Sequence, residues 1–337
     1  MAKVGIKEIA AKAGVSIATV SHALRNPGRV AEATRKRVLA AADEVGYTRN
    51  NLAASLRTSR SGNIVVIIPD VADSYTYGII KAIEKVAHRR GYSVLLGDTQ
   101  GSAEREREFA AMTRSRQADG IILMSHRIPF DVSRNKLSLD ELPPLVNACE
   151  FTGYDGFPTV AIDDRQAAID ATTHLVDFGH REIAVITGDM ETTSSRDRLE
   201  GFKKAMETAG LQHNERLIVY GDYSARCGES AAKTLLMRKN RPTAIFCFSD
   251  EIALGCMYAL RQHGFEIPND ISVIGFDNIP FARYLVPSLT TVAQPTEDIG
   301  KTCATILLDL IDGKQPDKAR HVMPHELILR QSTRSLA

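Results

Sequence analysis

Gly14-Val15-Ser16-Ile17-Ala18-Thr19-Val20-Ser21 interrupts a helical apolar pattern near the N-terminus and then restarts it. Apolar residues recur at helical spacing before this stretch, and Gly14 is a typical end for that first helix. Ser16 is a favourable N-cap for a second helix. Two helices joined by so short a turn predict a helix-turn-helix unit, whose second helix enters the major groove of DNA.

Residues 1–49 are predicted to form a small all-α head of three helices. In the second helix, Val20, Ala23 and Leu24 share one face and are expected to pack inward. Asn26-Pro27-Gly28 ends this helix, and a third helix follows it. The third helix is expected to turn one set of residues inward (Val38, Leu39, Ala42 and Val45) and a basic set outward (Arg35, Lys36 and Arg37).

The charge of the chain is unevenly distributed, although its 337 residues have a net charge of only +1. Residues 1–60 contain 11 Lys and Arg against 4 Asp and Glu, a net charge of +7, and residues 61–337 have a net charge of −6. A basic head on an acidic body indicates that the head binds a polyanion. A basic three-helix module that binds another protein is the alternative.

The second helix supplies the predicted base contacts. Ile17 and Ala18 are placed to contact thymine methyl groups, and His22 is placed to form a hydrogen bond with a base. Other residues of the head are predicted to contact DNA mainly through phosphates, which position the protein without reading sequence. The predicted DNA-binding set outside the base-reading positions is Ser16, Thr19, Ser21, Asn26, Arg35 and Arg37.

Residues 50–62 combine a short Ala- and Leu-rich segment with a Ser, Gly and Arg linker. A helix this short is marginal in water, so we expect a hinge helix that folds against DNA. Ala53 and Leu56 are its predicted DNA contacts, with Leu56 as an apolar wedge between base steps of the minor groove. The alternative is a flexible tether whose Leu56 packs on the body.

The body, residues 63–337, is predicted to contain two similar α/β halves. Ile64–Ile68 is a continuous β-branched run, typical of a strand buried on both faces, and it begins a βαβ unit. Comparable strands recur about 119 to 127 residues later, where Ala244–Phe248 corresponds to Gly120–Met124. Two parallel-sheet, Rossmann-like subdomains are therefore expected to enclose a cleft. Their predicted extents are 63–162 with 294–324, and 163–293 with 325–337.

Polar and aromatic residues at the predicted strand ends are the candidate ligand contacts, because ligands bind beyond the carboxyl ends of parallel strands. They suit a neutral, polyhydroxylated ligand with a flat ring, to which Arg198 would donate and Asp277 would accept hydrogen bonds. Structural alternatives exist: Asp163 can cap a helix, Tyr223 can belong to the core, and Arg198 can pair with a carboxylate. The predicted effector-binding set is Tyr75, His126, Glu150, Asp163, Ser194, Arg198, Tyr223 and Asp277.

The sequence lacks the motifs of the common enzyme classes. It contains no Gly-x-Ser-x-Gly, no Walker A loop, no Gly-x-Gly-x-x-Gly after a strand and no His-Glu-x-x-His. The chain is therefore predicted not to be an enzyme, and neither a metal nor a cofactor other than a small-molecule effector is expected. His174 and His180 are expected on the surface. A nucleoside-binding protein or an enzyme with no DNA role is the distant alternative.

The five cysteines are odd in number and far apart, which favours reduced thiols and a reducing compartment. The sequence shows neither a signal peptide nor a run of about 20 apolar residues that could span a membrane. A cytoplasmic protein is therefore expected, associated with the nucleoid when it is bound to DNA.

Motifs along almost the whole chain resemble those of the LacI/GalR family of repressors. The resemblance implies a DNA-binding repressor whose body is similar to a periplasmic sugar-binding protein, with Tyr75, Ser194, Arg198, Tyr223 and Asp277 in the pocket. The motifs that carry it are Ile9-Ala10-x2-Ala13-Gly14-Val15-Ser16-x2-Thr19-Val20-Ser21, Leu52-Ala53-x-Ser55-Leu56, Gly179-His180-Arg181-x-Ile183, Ile274-Gly275-Phe276-Asp277-Asn278 and Leu289-Thr290-Thr291-Val292.

Two further segments, Leu142–Asn147 and Ala293-Gln294-Pro295, resemble a nucleoside-responsive member of that family. This similarity implies a nucleoside or nucleobase effector, and a regulator of pentose or hexose metabolism is the alternative. It also implies a second transcription factor on neighbouring DNA as a partner. Members often have Arg where this chain has His22, and larger polar residues at Ile17 and Ala18, so a different operator sequence is expected.

A homodimer on a pseudo-palindromic operator is the assembly that the resemblance implies. The Leu-rich tail through which some members of the family form tetramers is absent after Leu327-Ile328-Leu329-Arg330. We therefore expect a dimer rather than a tetramer.

Overall fold

The computed structural model describes residues 5–25, 27–47, 60–130, 141–150 and 157–336. The chain divides into two compact units, Met1–Arg60 and Ser61–Ala337. The predicted contacts Asn26, Ala53 and Leu56 lie outside the described residues. Among the described residues, none of the helices combines the length and hydropathy that crossing a bilayer requires.

The N-terminal unit contains three helices, α1 (Ile6–Ala13), α2 (Ile17–Arg25) and α3 (Glu32–Glu44). Helix α1 ends at Gly14, whose φ of 62° is left-handed and suits a residue without a side chain. The N–H of Thr19 donates to Ser16 Oγ at 3.0 Å, which is the predicted N-cap of α2. The three helices pack around one small core that includes Ile9, Val20, Ala23, Val38 and Ala42.

The predicted inward position of Leu39 is wrong, because 42% of this residue is exposed. The buried residues of α3 are Val38, Ala41 and Ala42. Those positions follow the i, i+3, i+4 stripe of a helix that packs on one side, and Leu39 lies one residue, or about 100°, away from that stripe.

The second unit contains twelve strands and seven helices among its described residues. The strands are β1 (Asn63–Ile68), β2 (Ser93–Asp98), β3 (Ile121–Leu123), β4 (Leu145–Ala148), β5 (Thr159–Ile162), β6 (Ile183–Ile186), β7 (Ile218–Val219), β8 (Ala244–Cys247), β9 (Ser272–Asp277), β10 (Thr290–Ala293), β11 (Arg320–Met323) and β12 (Glu326–Ile328). The helices are α4 (Thr76–Arg89), α5 (Ala103–Arg114), α6 (Asp164–Asp177), α7 (Thr193–Thr208), α8 (Ala225–Leu236), α9 (Asp250–Gln262) and α10 (Thr296–Ile311).

The strands form two six-stranded sheets, which define two lobes. The sheet of lobe 1 has the order β2-β1-β3-β4-β5-β11, and the sheet of lobe 2 has the order β7-β6-β8-β9-β10-β12. Every strand pair is parallel except β10 with β12. The same strand order therefore occurs twice, which confirms the predicted fold of two similar parallel-sheet subdomains.

The described part of the chain crosses between the lobes three times. The crossings lie between β5 and α6, between β10 and α10, and between β11 and β12. The predicted subdomain boundaries fall within these crossings. The fully buried run Ile64–Ile68 lies on β1, and α4 and α10 pack on this sheet. Helices on a sheet account for a continuous apolar strand without alternation.

His180 does not lie on the surface, contrary to the expectation. Its ring is completely buried, with Nδ1 2.9 Å from Thr243 Oγ1 and Nε2 3.2 Å from the Arg334 carbonyl oxygen. Burial lowers the pKa of His180, which favours the neutral ring. His174 is half-buried and stacks near Phe178, with ring centroids 4.2 Å apart.

Helices α8 and α9 of lobe 2 approach each other closely at two glycines. A Cβ atom at Gly228 would collide with the carbonyl oxygen of Ile252, and one at Gly255 would collide with the carbonyl oxygen of Ala225. Backbone atoms cannot move aside as a flexible side chain can. The spacing of these two helices therefore depends on residues without side chains.

We expect Gly255→Ala to lower the free energy of unfolding by about 2 to 3 kcal/mol, because the added methyl group forces the two helices apart. Urea unfolding followed by far-UV circular dichroism measures the change, since the chain contains no Trp. The control is Ser230→Ala, an exposed position on α8, with an expected effect within about 0.5 kcal/mol. Equal effects of the two substitutions would contradict the close-packing argument.

Candidate functional site

The outer surface of α2 and the basic residues of α3 are accessible in the N-terminal unit. Ile17 is 49% exposed, and Ala18 and His22 are exposed as well. Thr19 and Ser21 are half-buried, and the Ser16 and Thr19 hydroxyl groups lie 2.9 Å apart. Small side chains at this end of the helix allow its backbone to approach a surface closely.

The predicted phosphate contacts Arg35 and Arg37 are exposed on α3. Two nearby lysines form ion pairs instead, Lys12 with Glu44 and Lys36 with Glu32. No carboxylate of the described residues forms an ion pair with Arg35 or Arg37. Both guanidinium groups are therefore available to an external anion.

A cavity of about 300 Å³ lies between the two lobes at the carboxyl ends of their strands. Its volume is at the lower end of the range for small-molecule sites. Residues of both lobes line it. Seven of the eight predicted effector contacts are among them, namely Tyr75, His126, Glu150, Ser194, Arg198, Tyr223 and Asp277.

Asp163 is the predicted contact that the structure does not place in the cavity. Its side chain is exposed, and Oδ1 accepts a hydrogen bond of 2.9 Å from the N–H of Gln166 as the N-cap of α6. The neighbouring Asp164 is buried and points to Arg198 instead. Neither of these two adjacent carboxylates lines the cavity, and Asp164 acts on it only through Arg198.

Arg198 lies on α7 and is almost completely buried at the base of the cavity. Its Nε donates to Asp164 Oδ1 at 2.8 Å, and another guanidinium nitrogen donates to the carbonyl oxygen of Phe248. The guanidinium group also lies 3.6 Å from the ring centroid of Phe276, a cation–π contact. Arg198 is therefore both part of the pocket wall and half of a buried ion pair.

Glu150 follows β4 in lobe 1 and reaches the first turn of α7 in lobe 2. Oε2 accepts hydrogen bonds from the backbone N–H groups of Thr193 at 3.0 Å and Ser194 at 3.2 Å, and Oε1 accepts from Ser194 Oγ at 2.6 Å. Burial raises the pKa of Glu150 to about 7, against the opposing effect of the hydrogen bonds from Ser194. This carboxylate connects the two lobes across the cleft.

Tyr75 and Asp277 are connected by Gln294, a residue outside the predicted effector-binding set. The hydroxyl group of Tyr75 donates to Gln294 Oε1 at 2.9 Å, and Gln294 Nε2 donates to Asp277 Oδ1 at 2.8 Å. Gln294 lies in the crossing between β10 and α10. Burial raises the pKa of Asp277 well above its usual range, and Arg198 opposes that shift.

Tyr223 forms a wall of the cavity and is fixed at both ends. Its hydroxyl group lies 2.6 Å from Ser195 Oγ and 3.1 Å from Ser194 Oγ. Its ring covers Gly188, where a Cβ atom would collide with the ring carbons. The ring is therefore held in place before any ligand arrives.

His126 lies near the mouth of the cavity beside Arg127. Its Nε2 is 3.8 Å from Glu191 Oε2, and burial lowers its pKa, with Arg127 acting in the same direction. Arg127 forms an ion pair of 3.1 Å with the buried Glu106. The cavity also contains Asp73, whose pKa is raised by burial to about 6. Glu106 and Arg127 line the cavity as well, although they lie outside the predicted effector-binding set.

The described residues contain no group of three or more His, Cys, Asp or Glu side chains arranged to hold a metal ion. The chemistry of the cavity is that of hydrogen-bond donors and acceptors around two aromatic rings. Such an arrangement is suited to a small polar molecule.

Comparison with known proteins agrees with both parts of this architecture. Residues 5–50 match the bacterial regulatory proteins of the lacI family, and residues 172–333 match the periplasmic binding protein-like domain. A helix-turn-helix head joined to such a body defines a class of bacterial transcription regulators.

Several relatives match over nearly the full length. The HTH-type transcriptional repressor CytR of Escherichia coli (strain K12) is 40% identical over 331 residues, covering 98% of this chain and 96% of that protein. The HTH-type transcriptional repressor PurR of Photobacterium profundum is 34% identical, covering 98% and 99%. The lac repressor dimer bound to operator and the anti-inducer ONPF is 27% identical, with a TM-score of 0.84 and coverage of 98% and 99%.

The chain belongs to the LacI family of DNA-binding transcriptional repressors. The predicted family and fold are thereby confirmed. The relatives are repressors rather than enzymes, so the prediction that this chain is not an enzyme is confirmed as well.

The raised pKa of Glu150 predicts a pH-dependent stability. The native state holds a proton on this carboxyl up to about pH 7, whereas the unfolded chain releases it near pH 4.5, so stability falls as pH rises between these values. Glu150→Gln keeps the shape and removes the charge. We therefore expect it to raise the free energy of unfolding by about 1 to 3 kcal/mol at pH 8 and by much less at pH 4.5.

Urea unfolding followed by circular dichroism at both pH values measures this difference. The control is Glu191→Gln at the exposed mouth of the cavity, which removes the same charge without affecting the first turn of α7. If Glu150→Gln raises the free energy of unfolding equally at both pH values, the buried charge of Glu150 is not the cause of the increase.

Proposed function

We propose that this protein is a homodimeric, effector-responsive repressor that binds a pseudo-palindromic operator in the cytoplasm. Its effector is a nucleoside or nucleobase bound in the cavity between the lobes, and it uses no other cofactor. The observation that carries the effector proposal is the cavity itself, in which polar groups of both lobes converge.

Operator binding is supported by the accessible surface of the N-terminal unit. Exposed Ile17, Ala18 and His22 on α2 suit contacts to base edges, and Arg35 and Arg37 on α3 suit contacts to phosphates. The related lac repressor has been solved bound to its operator as a dimer. A second transcription factor on neighbouring DNA is a further proposed partner, on the resemblance to nucleoside-responsive members.

Dimer formation is supported by an exposed apolar surface on lobe 2. Leu254 and Tyr258 lie one turn apart on α9, and Arg261 on the next turn donates to the carbonyl oxygen of Val286. That bond brings the loop with Phe281 and Tyr284, which are 61% and 73% exposed, beside the helix. Contiguous exposed aromatic residues are typical of an interface between subunits.

A flat, hydrogen-bonding ligand is supported by the walls of the cavity. Tyr75 and Tyr223 supply aromatic surfaces, and Asp73 and Asp277 supply acceptors for the N–H and hydroxyl groups of a nucleoside. A sugar is the second candidate, because related regulators have been solved with ribose and with cellobiose.

Effector control is supported by polar contacts that cross between the lobes and therefore depend on the lobe arrangement. Glu150 with Ser194, and Ser74 with Glu251 at 2.8 Å, connect lobe 1 to lobe 2. Just before β1, the N–H groups of Ser61 and Gly62 donate hydrogen bonds to the carboxylate of Asp119, at 2.7 and 2.9 Å. We propose that a change in lobe arrangement reaches the DNA-binding head through this anchored end of the linker.

The DNA-binding proposal predicts different effects for two residues of the head. For a duplex selected from random sequences, we expect His22→Ala to weaken the free energy of binding by about 1 to 3 kcal/mol. We expect no such loss on unselected duplexes, because His22 is predicted to contact a base. We expect Arg35→Ala to weaken binding to selected and random duplexes alike, and to reduce the slope of log affinity against log salt by about one.

Fluorescence anisotropy across a salt titration measures these effects. The control is Arg89→Ala, which removes the same charge from an exposed position on α4 of the body. Affinity for DNA that is independent of salt, or equal slopes for Arg35→Ala and Arg89→Ala, would contradict the proposed interface.

The effector proposal predicts that Asp277→Asn weakens nucleoside binding by at least about tenfold, because the substitution replaces one carboxyl oxygen with an NH2 group, which cannot accept a hydrogen bond from the ligand. Operator affinity without effector is expected to stay within about twofold, since the head is unchanged. Isothermal titration with cytidine, adenosine, guanine, hypoxanthine and ribose measures ligand binding.

The control is Asp163→Ser, which removes a carboxylate just outside the cavity and keeps a side chain able to cap α6. Binding of ribose alone from the panel would favour the sugar candidate. Unchanged nucleoside affinity in Asp277→Asn would show that the ligand lies elsewhere.

A further inference from the structure

The first turn of α7 is an anion-binding position that the chain itself fills. The N-cap Thr192 accepts a hydrogen bond from the N–H of Ser195 at 3.2 Å, which leaves the N–H groups of Thr193 and Ser194 for another acceptor. The Glu150 carboxylate takes both, at 3.0 and 3.2 Å. A helix of 16 residues places partial positive charge at this end, where phosphate groups commonly bind.

Among the described residues, the charges around the cavity give no substitute position for a phosphate. Six of the described lining residues are acidic, namely Asp73, Glu106, Glu150, Asp189, Glu191 and Asp277. The two arginines among the described lining residues are already paired, Arg127 with Glu106 at 3.1 Å and Arg198 with Asp164 at 2.8 Å. His126 has a lowered pKa, which reduces its cationic form.

We infer that Glu150 sets the specificity of this cavity by excluding phosphorylated ligands, so that the effector is a nucleoside and its 5′-monophosphate is rejected. The inference rests on the proposed function. A phosphate entering the cavity meets an excess of carboxylates. To reach the N–H groups of α7 it must displace Glu150, which leaves a desolvated carboxylate without its hydrogen-bond donors.

The contact between Glu150 and the first turn of α7 explains why we assign the exclusion of phosphorylated ligands to this residue alone. Glu191 is also acidic, but its side chain is 73% exposed and contacts His126 and Arg127 only at 3.8 and 3.7 Å. Removing the charge of Glu191 changes the electrostatic field in the cavity but frees no backbone donor. Removing the side chain of Glu150 changes the field and also frees the N–H groups of Thr193 and Ser194, which then face the cavity.

The test is isothermal titration of the full chain with cytidine, adenosine and their 5′-monophosphates at pH 8, above the raised pKa of Glu150 of about 7, so that the carboxyl group is ionised. For the wild-type protein, we expect the nucleoside that binds to exceed its monophosphate by at least about 100-fold in affinity. Glu150→Ala is expected to reduce this affinity ratio by at least about tenfold, and Glu150→Gln by less, because its amide oxygen still accepts hydrogen bonds from the N–H groups of α7. The affinity ratio of Glu191→Gln is expected to stay within about threefold of the wild-type ratio.

Each outcome separates the inference from the proposed function. If the wild-type protein binds neither nucleoside nor monophosphate, the nucleoside proposal itself fails. If it binds both equally, the proposed function stands and the inference is overturned. The assignment to Glu150 is also overturned if Glu150→Ala keeps the wild-type affinity ratio between nucleoside and monophosphate, or if Glu150→Ala and Glu191→Gln reduce that ratio equally. Circular dichroism confirms folding of the variants, and the wild-type comparison does not depend on any of them.

Discussion

The buried ion pair between Arg198 and Asp164 is the interaction on which the cleft depends. It joins α7 to the first residue of α6, and the same guanidinium group binds the end of β8 through the carbonyl oxygen of Phe248 and stacks on Phe276 of β9. Removing one partner of such a pair leaves an uncompensated buried charge, at a cost of about 3 to 5 kcal/mol. Arg198 also counteracts the burial that raises the pKa of Glu150 and Asp277. The carboxylates of the cavity are therefore tolerated partly because this cation lies beneath them.

The two lobes are joined across the cleft by polar contacts rather than by a shared apolar core. Most described core residues belong to a cluster of one lobe only; the exceptions lie beside the crossings, where Ile162 of β5 joins the cluster of lobe 2 and Met323 of β11 packs against clusters of both lobes. Across the cleft itself, Glu150 with Ser194 and Ser74 with Glu251 connect the lobes. Hydrogen bonds to carboxylates are worth about 1.5 to 3 kcal/mol each. A ligand that binds one lobe arrangement better than another can therefore shift the equilibrium between arrangements, while each lobe keeps its own packing.

The sequence predicted most of the fold because the signals of its elements are local. The run Ile64–Ile68 indicates a buried strand, and Gly14 with Ser16 indicates the turn between two helices. The cavity residues were located because the carboxyl ends of parallel strands meet at one edge of a sheet. Asp163 and Asp164 show the limit of this reasoning. Both follow the same strand, and only the start of α6 in three dimensions decides that one caps the helix while the other faces Arg198. Gln294 was missed as a contact because its partners Tyr75 and Asp277 are 219 and 17 residues away.

Each of the three crossings between the lobes carries a polar side chain held by a specific partner. Asp164 follows β5 and pairs with Arg198, Gln294 follows β10 and joins Tyr75 to Asp277, and His325 lies between β11 and β12 with Nε2 2.8 Å from Asp170 Oδ2. Rotation of one lobe against the other must occur by dihedral changes in these crossings. Two of the crossings are hydrogen-bonded to residues that line the cavity, namely Arg198, Tyr75 and Asp277. A ligand that contacts these residues therefore acts directly on the crossings. The cavity in which we propose that the effector binds and the segments between the lobes are therefore the same part of the molecule.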